Sequence, residues 1–209
     1  MDIDTITKLY YRDKLGSREI ATRLNKTVWQ ILRFMKKHHL KCRTSAETNK
    51  YKFNRTPLSF NKKVHLNAQE KELFENGLML YWAEGCKQTN QVVDMSNSNP
   101  KMVKIFRNLL TNIYQVDQKR IRVLLYCYQN QDINNLRKFW SNFLDIPLSQ
   151  FIKPYIRKDF DHNKNSKMPY GLAHIRYADT RLLAQIFRDI DIISDKLCRD
   201  GGVDNHTSL

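Results

Sequence analysis

Residues 70–85 read EKELFENGLMLYWAEG, a polar first turn and then an apolar run that stops at an acid and a glycine. Asn67 stands three residues ahead of Glu70, so the two make a capping box in which each side chain satisfies an amide that a first helical turn leaves without a partner. The helix that opens there closes at Gly85, the residue type most often found just past a helix end. Along it Leu73, Gly77, Leu80 and Glu84 recur at three- and four-residue steps and share a face. The spacing predicts a seam of one small residue and apolar residues leading to a carboxylate.

Strand and helix signals alternate after this helix. The pattern predicts a strand around Val92 to Met95, a helix from Pro100 to about Tyr114 and a strand from Ile121 to Tyr128. A helix from Ile133 to Leu144, strands near Ile152 to Arg157 and Gly171 to Tyr177, and a last helix from Thr180 to about Leu197 follow. This is an α+β order. The stripes Val103, Phe106, Leu109, Leu110 and Leu136, Phe139, Trp140, Phe143 are core faces and are assigned no chemistry. The domain so defined spans residues 67–198. Residues 199–209, ending in GGVDNHTSL, are expected to be disordered.

Charge changes sharply ahead of this domain. Residues 1–66 hold 16 Lys and Arg against 5 Asp and Glu, and the remainder holds 20 against 16. Such asymmetry marks a nucleic-acid-binding module, or else a solvated basic surface. Within a domain of residues 1–43, residues 4–40 read as three short helices. Ile6, Leu9 and Tyr10 form the apolar side of the first, which Leu15-Gly16 interrupts. Ser17 is the expected cap of the second, with Glu19 in its first turn, Ile20, Ala21 and Leu24 inside, and Asn25 at its close. Thr27 and Gln30 fit a capping box that opens the third, which runs to about His39. Its expected apolar face is Val28, Ile31, Leu32 and Met35, which leaves polar and basic residues outward, as suits a major groove. Residues 44–66 carry Pro57 and show no sustained periodicity, so they read as a basic linker. Its Tyr51, Phe53 and Phe60 either stack on bases or dock on a neighbouring domain, and docking is the preferred reading.

The whole chain has 209 residues, 41% of them hydrophobic, and a formal charge of +15. It can build a real core, and its charge calls for a polyanionic partner, nucleic acid first. No run approaches the roughly 18 apolar residues of a membrane span, and no signal-peptide stretch opens the chain, so an intracellular, cytoplasmic protein with no membrane association is expected. The four cysteines, Cys42, Cys86, Cys127 and Cys198, form no C-x-x-C pair and suggest neither zinc nor disulfides. His38, His39 and Cys42 lack a completing ligand set.

Residues 16–43, GSREIATRLNKTVWQILRFMKKHHLKCR, resemble the helix-turn-helix of resolvase-like and sigma-like DNA-binding domains. That resemblance implies that the second helix braces the DNA backbone and the start of the third enters the groove. Lys26, Thr27, Trp29, Gln30 and Arg33 then become base or phosphate contacts, and Lys36, Lys37, Lys41 and Arg43 hold phosphates. Trp29 either faces DNA or packs on the first helix. A three-helix bundle used for protein contacts is the alternative.

GLMLYWAEG, residues 77–85, is similar to the motif of the LAGLIDADG homing endonucleases in length, apolar character and terminal acid-glycine pair, and VVDMSNSNPKMVKIF, residues 92–106, continues as in that family. The resemblance covers about residues 67–195 and implies an antiparallel, saddle-shaped sheet along the major groove. It implies that Leu73, Gly77, Leu80 and Ala83 lie in a two-fold interface, where Glu84 from each chain helps bind Mg²⁺ for phosphodiester hydrolysis. Lys153, Arg157, Lys158 and Arg176 would contact DNA from the strands. Only one motif is present, and the last helix, LLAQIFRDID, lacks a closing glycine, so the second copy comes from a second chain in a homodimer on double-stranded DNA. Met79, Tyr81 and Trp82 are bulkier than the family's small residues, and Glu84 is longer than an aspartate. Glu84 alternatively pairs with Lys87 and binds no metal.

Three functions follow: a metal-dependent site-specific endonuclease, a transcriptional regulator that keeps the scaffold without cutting, and a recombinase or transposase accessory protein. No resolvase-type catalytic serine context supports the third.

Overall fold

In the computed structural model, which describes residues 1–87, 92–157 and 168–200, the chain divides into a unit of Met1–Leu58 and a unit of Ser59–Leu209. The fold class is α+β. Among the described residues no helix is long and apolar enough to cross a membrane.

The first unit is helical. Helix α1, Ile3–Thr7, is capped by Asp2, whose Oδ1 accepts from the Thr5 amide at 2.8 Å, and it continues as a wider π-type turn, Lys8–Arg12. Helix α2, Ser17–Arg23, is capped at Gly16 and not at Ser17: the Glu19 carboxylate accepts from the Gly16 amide at 2.7 Å. Asn25 takes φ +50° in the turn after it, a left-handed conformation that asparagine tolerates. Helix α3, Val28–Lys37, opens on the expected box, with Thr27 Oγ1 accepting from the Gln30 amide at 3.2 Å and Gln30 Oε1 accepting from the Thr27 amide at 2.9 Å. Ile6, Leu9, Tyr10, Ile20, Ala21, Ile31 and Met35 are buried together, with Leu24 and Phe34 packed at their edge. The inner face of α3 is thus rotated from the expected one. Val28 and Leu32 are exposed, and Phe34 takes the place beside Ile31 and Met35.

The stretch expected to be a linker is structured. Thr44 and Glu47 make a third capping box, and helix α4 runs Ser45–Arg55. It has no buried residue, which is why no apolar stripe announced it. Arg55 pairs with Glu19 at 2.9 Å, and Tyr51 lies under Lys14 and Arg43, so its docking is within the first unit. Residues 59–66 belong to the second unit: Ser59 Oγ donates to Asp179 at 2.5 Å, and Phe60 and Leu66 pack on the core.

The second unit opens with helix α5, Ala68–Glu84, behind the Asn67–Glu70 box. Strand β1 (Val92–Asn97) and helix α6 (Pro100–Asn108) follow, the helix continuing as a π-type turn through Leu109–Ile113. Then come β2 (Arg122–Tyr128), α7 (Ile133–Leu144), β3 (Tyr155–Arg157), β4 (Leu172–Ala178) and α8 (Thr180–Asp200). Helix α8 extends past the expected end at Leu197, so Arg199 and Asp200 are helical, and residues 201–209 of the expected disordered tail lie outside the described residues.

The strands pair in the order β1-β4-β2-β3. β4 is antiparallel to both β1 and β2, but β3 is parallel to β2, so the sheet is mixed and not antiparallel as expected. Helix α7 connects β2 to β3, and such a crossover returns the chain to the end it left from. Val93, Met95, Val123, Leu125, Cys127, Ala173, Ile175 and Tyr177 alternate along their strands and are buried with residues of α5, α6, α7 and α8. The period of two sends Asp94, Arg122, Tyr126, His174 and Arg176 to the other face.

Candidate nucleic-acid interface

In the first unit the helix boxes decide which side chains stand outward. The buried positions of α3 recur at 31 and 35, so Trp29, Arg33, Lys36 and Lys37 are carried to the opposite side and exposed. Trp29 is 63% exposed and does not pack on α1; the Arg33 guanidinium lies 4.9 Å from its ring centre. Lys26, Trp29, Gln30, Arg33 and Lys37, with Met1 and Phe34, line one depression of about 330 Å³. Five predicted contact residues therefore share one surface. Thr27 is exposed beside them, but its hydroxyl and amide are engaged in the capping box, as is the Gln30 side-chain oxygen Oε1. Lys41 is exposed.

Arg43, expected to hold a phosphate, is turned inward. Its guanidinium donates to the Lys14 carbonyl at 3.2 Å and to that of Leu15, and lies 4.1 Å from the Tyr10 ring centre. It fixes the chain between α1 and α2, where Lys14 takes φ +57°. Its charge serves the fold.

In the second unit Lys153 is exposed ahead of β3 and Arg157 is exposed at its end, with its guanidinium 5.7 Å from the Tyr128 ring centre. Lys158 lies outside the described residues. Arg176 sits on β4, and its Nε is 3.0 Å from Asp94 Oδ2. The other oxygen of Asp94 is 2.9 Å from His174 Nδ1, so one carboxylate on β1 holds two side chains of β4. Arg120 and Arg122 adjoin Arg176 around a cavity of about 190 Å³. Neither was singled out in the sequence. The alternation of RVLLYCY places Arg122 off the buried side, but only the strand register shows what it faces.

Helix α5 presents the remaining candidates. Gly77, expected between two chains, is instead buried within this one: an added Cβ would come within 3.1 Å of Leu109 atoms. Leu73 and Leu80 are half-buried against the core. Ala83 is exposed, and so is Trp82, at 47%. Gly85, just past the helix end, leaves no room for a larger residue, since an added Cβ would meet the Tyr81 carbonyl oxygen at 2.4 Å. From there the chain pairs with β1, the Cys86 amide donating to the Asp94 carbonyl at 2.8 Å.

Glu84 is exposed in the last turn of α5, and among the described residues it forms no ion pair with Lys87 or any other cation. Mg²⁺ is held by one or two carboxylates, with water and substrate phosphate completing its octahedron. Glu84 would offer one such carboxylate, beside helix C-terminal carbonyls that favour a cation. Among the described residues no three His, Cys, Asp or Glu are grouped to hold a metal. Within one chain Glu84 thus stands as a single exposed carboxylate. Set against family models, curated proteins and solved structures, the chain matches none.

Proposed function

We propose that this protein is a sequence-specific double-stranded DNA-binding protein of the LAGLIDADG homing-endonuclease type, with a helix-turn-helix in its first unit. The observation that carries the DNA reading is the shared outward surface of Lys26, in the turn ahead of α3, and Trp29, Gln30, Arg33 and Lys37 on it. It belongs to a unit with 14 Lys and Arg against 5 Asp and Glu. In the reading proposed, α2 braces the backbone, the short turn at Leu24 to Thr27 sets α3 across it, and Arg33 and the side-chain NH2 of Gln30 reach base edges. Lys36 and Lys37 hold phosphates.

Two chains pair through α5. From Leu78 to Ala83 this helix is apolar on every side, a pattern suited to a helix covered all round. In one chain only Leu78 and Tyr81 of that run are buried. Leu80, Trp82 and Ala83 are then met by the same residues of the second copy, and the two Glu84 carboxylates approach each other. Bound there, Mg²⁺ would supply Lewis acidity for phosphodiester hydrolysis. The part of the two chains is to hold the duplex in register and to place two carboxylates, one from each, at its backbone.

The second reading is a regulator that binds without cutting. It is favoured by the single carboxylate per chain and by Trp82, whose bulk on the open side of α5 keeps two helices apart. One experiment separates the readings: selection of bound duplexes from a random library, followed by Mg²⁺ with wild type and Glu84→Gln. Enrichment of one motif with cuts at a fixed position, lost in the variant, supports the endonuclease. Enrichment with intact DNA supports the regulator. A pool without enrichment overturns both.

A further inference from the structure

The register of the sheet places two positive charges directly opposite one another. Arg122 of β2 pairs with Arg176 of β4, and the next strand along answers Arg176 with Asp94. Like charges facing across neighbouring strands destabilise a sheet. Arg120, from the 3₁₀ turn Gln118–Arg120 just ahead of β2, adds a third guanidinium to the same cavity of about 190 Å³. Asp94 is the one carboxylate bonded to any of the three among the described residues, and it is shared with His174.

Two of these arginines, Arg120 and Arg122, are held in place by backbone carbonyls. Arg120 Nη2 donates to the Ala178 carbonyl at 2.7 Å, and Arg122 Nη1 donates to those of Lys119 and Ile121 at 2.7 and 2.8 Å. Carbonyls orient a guanidinium without neutralising it. Val92, Ile152 and Ala178 give the rest of the cavity wall an apolar character.

We infer that the Arg120, Arg122 and Arg176 cavity is a phosphate-binding site. Planar guanidinium forks match two phosphate oxygens at once, and an anion between Arg122 and Arg176 turns their repulsion into shared attraction. The apolar wall suits a sugar next to the phosphate. A duplex phosphodiester is the preferred source, which rests on the DNA reading; a free phosphate or mononucleotide is the other source of the same chemistry.

The test uses the full chain, wild type and Arg122→Gln, in two arms. In the first, thermal unfolding is followed against inorganic phosphate and thymidine 5′-monophosphate at ionic strength matched with chloride. A ligand at free concentration c that binds only the folded state stabilises it by RT ln(1 + c/Kd), so Tm climbs with the logarithm of ligand concentration once that exceeds Kd. Wild type shows a rise, continuing with the logarithm of phosphate concentration, that Arg122→Gln lacks, and without phosphate the variant melts no lower than wild type, since it loses a repulsion. An arginine kept for the fold alone would lower Tm with or without phosphate. In the second arm, duplex affinity is measured against salt, and Arg122→Gln lowers the slope of log K on log salt by about one for one lost phosphate contact. A loss in both arms supports the site on DNA. A loss in the first arm, with no duplex binding by wild type, supports a site for free phosphate and removes the DNA reading. Equal phosphate response and equal slope in the two proteins overturn the site and leave the DNA reading standing.

Discussion

Single atoms decide several positions in this chain. Gly77 lies within α5 and Gly85 directly past its end, and the room around them differs. A Cβ at Gly85 would sit 2.4 Å from the Tyr81 carbonyl oxygen and 2.6 Å from its ring, so backbone must move. Gly85→Ala is expected to cost about 2–3 kcal/mol, in the range of overpacked sites, read as a fall in the unfolding midpoint. At Gly77 the neighbours are Leu109 side-chain atoms at 3.1–3.2 Å, which can give way, and alanine gains about 1 kcal/mol in helix propensity. Gly77→Ala should therefore be near neutral, and a loss as large as at Gly85 would show that α6 cannot yield there. Asp179 offers a test by pH. Burial pushes its carboxyl up, but the Ser59 hydroxyl and the amides of Arg181 and Leu182 together outweigh burial and hold it below its ordinary value of 3.8. A depressed folded value means the stabilisation is present above the unfolded value and is lost as pH falls through the folded one. Asp179→Ala should cost about 1–2 kcal/mol at neutral pH, as loss of a helix cap does, and denaturant titrations should show the gap closing below about pH 4.

What could be read from the sequence at the scale of elements follows from how each element is stabilised. Asn67–Glu70 and Thr27–Gln30 are local bonds between residues three apart, so α5 and α3 were legible with their starts. Helix α4 has an equivalent box at Thr44–Glu47 but buries nothing, and without an apolar stripe its residues read as a linker. The charges of α3 were legible because its capping fixes the helix and its buried side fixes the rest. Arg43 was not, because its inward turn depends on carbonyls at Lys14 and Leu15, nearly 30 residues away in the chain. The arginine cluster was hidden for the same reason: strand register is a long-range property, and β3 lies parallel to β2 only because of where α7 returns the chain. The element-scale prediction concerns α3. Lys36→Gln with Lys37→Gln should weaken binding to every duplex and lower the salt slope by about two, whereas Arg33→Ala should relax sequence preference, both measured by titration over a salt series. An unchanged slope in the double variant would remove both lysines from the phosphates.

At the scale of the whole molecule, the same charge acts in opposite directions on the two proposed associations. Each chain carries a formal +15, so two chains repel, and added salt screens that repulsion while leaving the apolar contact at Leu80, Trp82 and Ala83 in place. Pairing of chains should therefore strengthen with salt. Binding to DNA should weaken over the same range, because counterions compete for the phosphates. A solution with too little salt holds monomers attracted to any duplex, and one with too much holds dimers that bind none. Trp82→Glu separates the two effects: the side chain is 47% exposed, so the fold should keep its melting temperature, while a carboxylate facing its own copy opposes pairing. Sedimentation at rising salt should show wild type moving from monomer to dimer and Trp82→Glu remaining monomeric. On a two-half-site duplex the variant should bind as single chains with the affinity of one half-site, since the gain from linking two modules is lost with the pairing. A wild type that stays monomeric in high salt and occupies DNA as one chain per site would remove the two-fold pairing, and with it the meeting of two Glu84 carboxylates on which cleavage depends.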